Sequence, residues 1–486
     1  MTQRAPKIDP RRQRFVADPH RPLYHYLPPA NWMNDPNGAI FWKGRYHLFY
    51  QANPDNPFWG NIQWGHAVSG DLVHWEDLPM ALVPDPDGPD RDGCFSGGAF
   101  VKDGVPTLIY HAYHKEGRGG NCIATSHDDL LTWQKDPDNP VIPSVGEEVE
   151  YRAYDPCGWR EGDTFYALSG GTSKRGGDTA FLFRSKDLHD WEYLHEFYEP
   201  GWENDCAVPD FFPLGDRHML LFASHKRGTQ YYIGTYEDHT FRPETHGRMA
   251  YGGFVQANLC ASITLSDDTG RRILFGWINE GRDEEAQKTA GWAGVMSLPR
   301  RLSLGSDLTL RIDPVTELEI LRGEHRAFSD REVAADSRRM LDEAAGECIE
   351  IAAVFEPAAS DDPGRGAQAY GLCVRTSPDA EEETVLRYDR EQHTLTLDVS
   401  RASIGDDAVC KIPETGPLVL GEDEALQLRV FVDRSVVEVF ANGRQCLTKR
   451  IYPSRSDSLG VGLVAQGGRA RLRTLDVWQM KAIWPT

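Results

Sequence analysis

Five short apolar segments, each opened by a glycine, recur along the N-terminal part of this chain and restrict its fold more than any other feature. The opening glycines are spaced 60, 58, 53 and 55 residues apart. The segments are Gly44–Tyr50, Gly104–Tyr110, Gly162–Leu168, Gly215–Phe222 and Gly270–Trp277. A repeat of roughly 40–60 residues that holds several short strands is typical of a propeller blade. The sequence therefore predicts an all-β fold that begins with a five-bladed β-propeller.

A second signature follows most of these segments in the same phase. Ala67–Trp75 returns as Ala124–Trp133 and Phe183–Trp191, with a weaker form at Gly234–Phe241. Coincidence is the simpler explanation for any one match, because glycine-bounded strands are common in all-β proteins. Two signatures that stay in phase favour a true repeat.

Polar residues stand at similar distances before four of the repeat glycines. Asp35 precedes its glycine by 9 residues, Ser96 by 8, Asp155 by 7 and Glu203 by 12. If each glycine-led segment is the second strand of a blade, these residues begin the first strand, which lines the central channel. We expect them to face one funnel, where a propeller binds a small molecule. Three carboxylates in one funnel suit acid/base chemistry on a sugar.

The C-terminal part of the sequence predicts a second all-β domain. Leu426–Val432 and Val436–Phe440 alternate as strands do, and Asn442-Gly443 after them is a strong hairpin signal. Regular short strands of this kind are typical of a β-sandwich. The predicted domains are a catalytic propeller over 1–315, a connecting helix or loop rich in Glu, Arg and Ala over 316–345, and a β-sandwich over 346–486.

The formal net charge of −22 argues against nucleic acid and anionic membranes as partners. No run approaches the roughly 18 apolar residues of a membrane helix, and the Arg-rich start lacks the apolar region of a secretory signal. We therefore expect a cytoplasmic protein. The nine cysteines form no C-x-x-C pair, and the acidic turn Asp85–Asp92 lacks the ligand spacing of a calcium loop. No metal or cofactor is expected.

Nine short motifs stand in order along the chain: Trp32–Gly38, Tyr50–Pro54, Trp64–Ser69, Phe95–Gly97, Asp155-Pro156, Pro209–Phe211, Phe431–Ser435, Glu438–Phe440 and Arg450–Pro453. With these motifs the chain resembles glycoside hydrolase family 32, the group of invertases, levanases and inulinases, along nearly its whole length. The resemblance implies a five-bladed propeller followed by a β-sandwich, in agreement with the repeat. It also implies a retaining glycosidase that cleaves β-fructofuranosyl linkages of sucrose, fructo-oligosaccharides or fructan ends.

The resemblance further implies roles for individual residues. Asp35 matches the nucleophile, Asp155 the aspartate that holds sugar hydroxyls and stabilises the transition state, and Glu203 the general acid/base. The positions that match the lining of the fructose subsite are Asn34, Gln51, Trp59, Phe95 and Ser96.

Two departures from the family pattern surround the leaving group. The family usually has Arg directly before the second Asp-Pro, whereas Arg152 stands two residues further from it here, so its contact with the sugar is left open. The family's acid is followed at once by Cys-Pro-Asp, whereas Asn204–Val208 separates Glu203 from Pro209. Asp205 is therefore a rival acid/base. These changes affect the expected aglycone specificity more than the chemistry.

The predicted chemistry has a geometric consequence and several alternatives. A retaining mechanism places the carboxylates of Asp35 and Glu203 about 5–5.5 Å apart. A fructosyltransferase on the same scaffold, a hydrolase of another furanoside such as an arabinofuranoside, and a non-catalytic sugar-binding protein stay open. His111 and His114 could flank the pocket, although core or surface positions are the simpler interpretation. Self-association through the sandwich is also an open prediction.

Overall fold

The computed structural model describes residues 9–144, 151, 154–198, 205–254, 256–357 and 366–484, which consist almost entirely of β-strands. Two predicted site residues, Arg152 and Glu203, lie outside the described residues. Among the helices that are described, none is long and apolar enough to cross a membrane. All nine cysteines are free, and all except Cys410 are buried.

Residues 31–314 form five sheets that follow one another along the described chain. The first holds β1 Asn31–Trp42, β2 Arg45–Asn53, β3 Gln63–Ser69 and β4 Trp75–Leu82. The second holds β5 Gly93–Lys102, β6 Val105–Tyr113, β7 Gly120–Thr125, β8 Gln134–Lys135 and β9 Ile142–Pro143. The third holds β10 Pro156–Glu161, β11 Thr164–Thr172, β12 Asp178–Ser185 and β13 Glu192–Glu196. The fourth holds β14 Ala207–Leu214, β15 Arg217–Ser224, β16 Gly228–Glu237 and β17 Thr240–Arg248.

The fifth sheet is interrupted by a short helix and closes the ring. Its elements in chain order are β18 Leu259–Ser266, β19 Arg272–Ile278, helix α1 Glu284–Ala290, β20 Trp292–Ala293, β21 Val295–Met296, β22 Arg300–Leu304 and β23 Leu310–Pro314. Strand β20 leaves this sheet and pairs in parallel with Asn31 and Trp32 of β1. The first strands of the five sheets contact one another in cyclic order, and β18 contacts β1. This ring confirms the predicted propeller fold.

The repeat glycines occupy one position in every sheet, the hairpin between the first and second strands. The backbone angle φ of all five is positive, between 57° and 82°. Glycine adopts this left-handed conformation without the steric cost that a side chain carries. The glycine-led segments therefore become the second strands β2, β6, β11, β15 and β19. Asp35 and Ser96 lie in first strands and Asp155 directly precedes one, whereas the position of Glu203 is not described.

The second signature forms the turn between the third and fourth strands. In three sheets a serine hydroxyl donates to the aspartate two residues later, and the aspartate carboxylate accepts backbone N–H groups of the turn. The Oγ–Oδ1 distances are 3.1 Å for Ser69–Asp71, 3.0 Å for Ser126–Asp128 and 3.1 Å for Ser185–Asp187. Short polar side chains stabilise turns in this way by replacing backbone partners.

The C-terminal part is a sandwich of two six-stranded sheets. Its strands are β24 Arg322–Val333, β25 Ser337–Ala345, β26 Cys348–Phe355, β27 Ala369–Thr376, β28 Glu383–Asp389, β29 Thr394–Arg401, β30 Glu414–Pro417, β31 Leu426–Asp433, β32 Val436–Ala441, β33 Gln445–Arg450, β34 Gly460–Gln466 and β35 Ala470–Met480. The sheet orders are β24-β35-β26-β31-β32-β33 and β25-β34-β27-β28-β29-β30. Between the sheets lies an apolar core that includes Ile351, Leu372, Val430 and Leu463.

The segment 316–345 is not the connecting helix or loop that its composition predicts. A 3₁₀ turn, Thr316–Leu321, is followed by β24 and β25, which pair with β35 and β34 and begin the two sandwich sheets. Both are edge strands, and β24 is exposed along most of its length. Edge strands commonly carry charged side chains, so the Glu- and Arg-rich composition concealed them.

A buried polar cluster joins the propeller to the sandwich; it consists of His25, Arg300, Asp433, Glu438 and Thr448. Nδ1 of His25 contacts Oδ2 of Asp433 at 2.8 Å, and Nε2 contacts Oε1 of Glu438 at 3.1 Å. Arg300 donates to the Glu438 carboxylate and, at 2.8 Å, to Thr448 Oγ1. None of the four ionisable side chains is exposed to solvent. We call this group the interface cluster.

Candidate active site

Irregular positions in the first strands bring the predicted site residues into the centre of the propeller. The pairing of β1 with β2 shifts between Met33 and Pro36, so that Asn34 and Asp35 lie at the irregularity. The pairing of β5 with β6 shifts between Cys94 and Gly97, where Phe95 and Ser96 lie. Bulges of this kind re-aim side chains and are common beside functional sites. Proline at position 36 contributes because it has no backbone N–H to donate to the ladder.

A closed ring of hydrogen bonds holds both carboxylate oxygens of Asp35. Asn34 Nδ2 donates to Oδ1 of Asp35 at 3.2 Å and to Oε1 of Gln51 at 2.7 Å. Gln51 Nε2 donates to Ser96 Oγ at 2.6 Å, and Ser96 Oγ donates to Oδ2 of Asp35 at 2.7 Å. Trp32 Nε1 donates to Oδ1 of Asn34 at 2.7 Å and fixes its amide. Asp35 is thus buried and oriented by neutral side chains, and no ion pair with a cation is found for it among the described residues.

Burial raises the pKa of Asp35, and the hydrogen bonds from Ser96 and Asn34 offset part of this effect. Asp155 lies directly before β10, and the backbone N–H groups of Val208 and Ser96 near it partly offset the effect of burial on its pKa. Burial, and after it the negative charge of Asp35, raises the pKa of Asp155 to about 7. Two carboxyl groups that disfavour each other's ionisation therefore share one site.

Asp205, the rival acid of the sequence analysis, is engaged by His225. The backbone N–H of His225 donates to Oδ1 of Asp205 at 3.1 Å, and its ring Nδ1 hydrogen-bonds to Oδ2. Burial raises the pKa of Asp205, but the hydrogen bond and charge of His225 outweigh burial and leave this pKa below its usual value. In this arrangement Asp205 is a stabilised anion.

These side chains open into one cavity of about 1120 Å³. Trp59, which is 56% exposed, meets Phe95 edge-on at 5.8 Å between ring centroids. Phe95 in turn stacks on Tyr113 at 4.7 Å. A second aromatic group in the cavity wall comprises Trp32, Phe254 and Trp277. The cavity therefore combines apolar ring faces with a small number of fixed polar groups, as sites for small molecules do.

Glu280, which follows β19 of the propeller, lines the cavity where the propeller meets the sandwich. Its carboxylate accepts hydrogen bonds from Arg282 at 2.8 and 3.2 Å and from the Tyr452 hydroxyl, and Arg450 lies 3.7 Å away. Burial raises the pKa of Glu280, but the charges of Arg450 and Arg282 outweigh burial and hold this pKa far below its usual value. Val409 and Cys410 of the sandwich also line the cavity.

The structure brings most of the sequence-predicted site residues together. Those that line the cavity are Asn34, Asp35, Gln51, Trp59, Phe95, Asp155 and Asp205. Ser96 is fully buried behind the wall and acts on the site through Asp35 and Gln51. Glu203 and Arg152 are not described, so their distances to Asp35 and to the cavity stay predictions.

The repeat contained a signal that sequence reasoning missed. Gln51, His111 and Trp277 all line the cavity, and each lies seven residues after its repeat glycine. His111, for which core or surface positions were the simpler interpretation, is buried and also lines the cavity, and burial lowers its pKa to about 4. His225 lies ten residues after its glycine, so the spacing does not reveal it.

Metal ligands do not gather at the cavity in the part of the chain that is described. The one group of three ligand-type side chains found there, Asp136, Asp138 and His189, is largely exposed and lies outside the cavity wall. The acidic turn Asp85–Asp92 is mostly solvated, as expected, except for Asp90. That side chain is fully buried and accepts a hydrogen bond from the Tyr110 hydroxyl at 2.8 Å.

Comparison with known proteins identifies the family. Residues 25–314 match the model of the glycosyl hydrolases family 32 N-terminal domain, and residues 317–479 match that of the family 32 C-terminal domain. The chain belongs to glycosyl hydrolase family 32. It is a glycoside hydrolase, and the predicted resemblance is confirmed.

Individual members of family 32 are similar over nearly the whole chain. A levanase of Bacillus subtilis is 33% identical over 97% of this chain and 72% of its own length. A sucrose-6-phosphate hydrolase of Zymomonas mobilis is 33% identical over 96% of this chain and 94% of its own. The crystal structure of fructan 1-exohydrolase IIa from Cichorium intybus in complex with 1-kestose superposes with a TM-score of 0.86 at 25% identity, covering 96% of this chain and 98% of the other.

Proposed function

We propose that this protein is a retaining β-fructofuranosidase that acts on sucrose, fructo-oligosaccharides or fructan ends. The observation that carries the proposal is the pair of buried carboxylates, Asp35 and Asp155, that face one aromatic-lined cavity. The names of the relatives, a levanase and a fructan exohydrolase among them, support fructosides as the substrate class.

In the proposed reaction Asp35 attacks the anomeric carbon of the fructosyl unit. The bond to the leaving oxygen breaks as the ester bond to Asp35 forms, and water later releases fructose with retention of configuration. The hydrogen-bond ring suits this role because it holds both oxygens of Asp35 and so fixes the direction of attack. Asp155, beside it, would bind sugar hydroxyls and stabilise the oxocarbenium-like transition state.

Glu203 is the proposed general acid, and the state of its rival supports this choice. An acid must carry a proton near the working pH. The contact with His225 lowers the pKa of Asp205, which favours the anion and makes Asp205 a poor proton donor. The separation of about 5–5.5 Å between Asp35 and Glu203 stays a prediction.

The experiment that tests the proposal is product analysis with sucrose, inulin and levan. We expect release of free fructose from at least one of them by the wild type, and none above background by Asp35→Asn. Asp129→Asn is the matched control, because Asp129 lies on the surface away from the cavity and its loss should leave activity unchanged. Sugar binding without turnover would instead support a non-catalytic protein, and longer or cyclic products would support a transferase.

Two further predictions concern attack and assembly. Exo attack fits a carboxylate at the closed end of a cavity, since a chain end can reach it, and fructose as the sole early product from inulin would support this. Self-association through the sandwich is tested by sedimentation of the full chain, and a monomer at every concentration would contradict it.

A further inference from the structure

His225 is a cavity residue that the proposed reaction leaves without a role. It follows β15 directly, and both its backbone N–H and its ring Nδ1 bond to the carboxylate of Asp205. The ring also stacks on Phe254, with 4.3 Å between centroids and 17° between planes. These contacts fix the imidazole in one orientation in the cavity wall.

The second ring nitrogen, Nε2, forms no hydrogen bond with the residues that the structure describes. A histidine that donates through Nδ1 carries a proton on Nε2 as well when it is charged. The hydrogen bond to Asp205 raises the pKa of His225, and the negative charges of Asp205, Asp35 and Asp155 add to this against the effect of burial. These contacts favour the charged form of the imidazole, which faces the carboxyl groups of Asp205, Asp35 and Asp155.

The charge of His225 also acts on the carboxylates that face it. Burial raises the pKa of both Asp35 and Asp155, and the positive charge of His225 lowers each of them. Arg282, a second cation in the described part of the cavity wall, is held by two hydrogen bonds to Glu280. His225 is therefore the cation whose field reaches the nucleophile.

We propose that His225 is a positioning residue for the nucleophile: the imidazolium, oriented by Asp205, keeps the Asp35 carboxylate ionised while the acid of the site is still protonated. The inference rests on the proposed function, in which Asp35 attacks as an anion. A retaining glycosidase needs one carboxylate charged and its partner protonated at the same pH. A cation beside the nucleophile favours that combination by stabilising the charged form of the nearer carboxylate.

The test replaces the charge of His225 while keeping a polar side chain of similar size. In His225→Gln we expect the acidic limb of the pH profile of kcat/KM to move to higher pH by about half to one unit. KM at the optimum should change little, because His225 acts through Asp35 rather than on the sugar. His225→Arg restores a cation and should return the limb towards its wild-type position.

His74 supplies a matched control with the same contacts on the surface. Its backbone N–H donates to Oδ1 of Asp71 at 2.7 Å, and its Nδ1 contacts Oδ2 at 2.8 Å. His74→Gln should leave both limbs of the profile in place. Wild-type limbs in His225→Gln, or a uniform loss at every pH without a shift, would overturn the proposal.

A second measurement does not depend on turnover. The pKa of His225 is followed by NMR of histidine-labelled protein, in the wild type and in Asp35→Asn. We expect a lower pKa in the variant, because an electrostatic coupling between two sites is reciprocal. Equal values would contradict the inference. A protein that cleaves no fructoside but shows this coupling would instead count against the proposed function alone.

Discussion

His25 and His225 are both held by carboxylates, but they differ in how many ring nitrogens are engaged and in their exposure to solvent. His25, in the interface cluster, is fully buried and uses both ring nitrogens on Asp433 and Glu438. His225, in the cavity, uses one nitrogen on Asp205, and its side chain is 55% exposed. Carboxylates engage both ring nitrogens of His25 but only Nδ1 of His225 among the described residues. A closed cluster can stabilise the docking of two domains, whereas an open one can still act on a substrate site.

Because of this difference, we expect substitutions in the interface cluster to affect stability and substitutions in the cavity to affect activity. Changes at Asp35 and Asp155 should alter rates with little loss of stability, because burial raises the pKa of both carboxyl groups and their ionised forms do not favour the folded state. Changes in the interface cluster should alter stability with little effect on the rate of the folded enzyme. Each prediction below tests one side of that separation.

The largest effect is expected for Asp35→Asn. Loss of the proposed nucleophile should lower kcat by about 10⁴-fold or more, while the midpoint of thermal unfolding stays the same or rises, since an unfavourable buried charge is removed. Fructose release and differential scanning fluorimetry measure the two quantities. A large fall in the unfolding midpoint would mean that Asp35 stabilises the fold, which is the role expected here of the interface cluster.

The second largest effect is expected for Glu438→Gln. Arg300 would keep its charge in a fully buried position without its partner, and breaking such a pair costs about 3–5 kcal/mol of unfolding free energy. Guanidinium titration measures the loss, and kcat of the folded protein should be unchanged. Glu76→Gln, which removes the half-exposed partner of Arg45, is the control and should cost less than about 1 kcal/mol. Equal losses in the two variants would contradict the role of the interface cluster.

A smaller effect is expected for Ser96→Ala. The hydroxyl links Gln51 to Oδ2 of Asp35, so its removal frees one oxygen of the nucleophile. We expect kcat to fall by about 10²-fold, with a minor change in stability. Steady-state kinetics on sucrose measure kcat and KM of the variant. A change confined to KM would show that Ser96 contributes to substrate binding and does not orient Asp35.

The smallest expected effects are changes of stability with pH, and they occur in two different pH ranges. Burial, then Asp35, raises the pKa of Asp155 to about 7, so the wild type loses stability relative to Asp155→Asn as pH rises from about 4 to 7. Burial lowers the pKa of His25, but its hydrogen bonds to Asp433 and Glu438 outweigh burial and raise it overall. The stability that charged His25 adds to the folded protein is fully present below a pH of about 6.5 and is lost as the pH rises through the folded-state pKa of His25.

Denaturant titrations of wild type, His25→Gln and Asp155→Asn across this pH range measure both windows. The stability advantage of the wild type over His25→Gln should shrink above pH of about 6.5. An advantage that grows with pH would mean that His25 is neutral in the folded protein, and the comparison with His225 would then fail.

The sequence predicts the propeller because its turns depend on local chemistry. Five glycines with positive φ and three Ser–Asp turns repeat at nearly constant spacing, so periodicity alone locates the strands. The site follows from the same phase, since Asp35 and Ser96 lie in first strands and Asp155 directly precedes one. The offset of seven residues from each glycine would have added His111 and Trp277.

The remaining features depend on contacts between distant parts of the chain. β24 and β25 are defined by pairing with β35 and β34, more than 110 residues later, and their exposed charged faces show little alternation. His25 and His225 acquire their roles from Asp433, Glu438 and Asp205, which no local pattern connects to them. Pairings of this kind need the folded structure.

The parallel pairing of β20 with β1 has a consequence during protein synthesis. Ala293 is translated 262 residues after Asn31, and the strand that it completes leads directly into Asn34 and Asp35. At about 5–20 residues per second, the ribosome needs roughly 13–50 s to supply it. A growing chain therefore carries Asp35, the proposed nucleophile, on an unclosed ring until the fifth sheet emerges, and a product that terminates before Trp292 should be inert towards sugars in the cell.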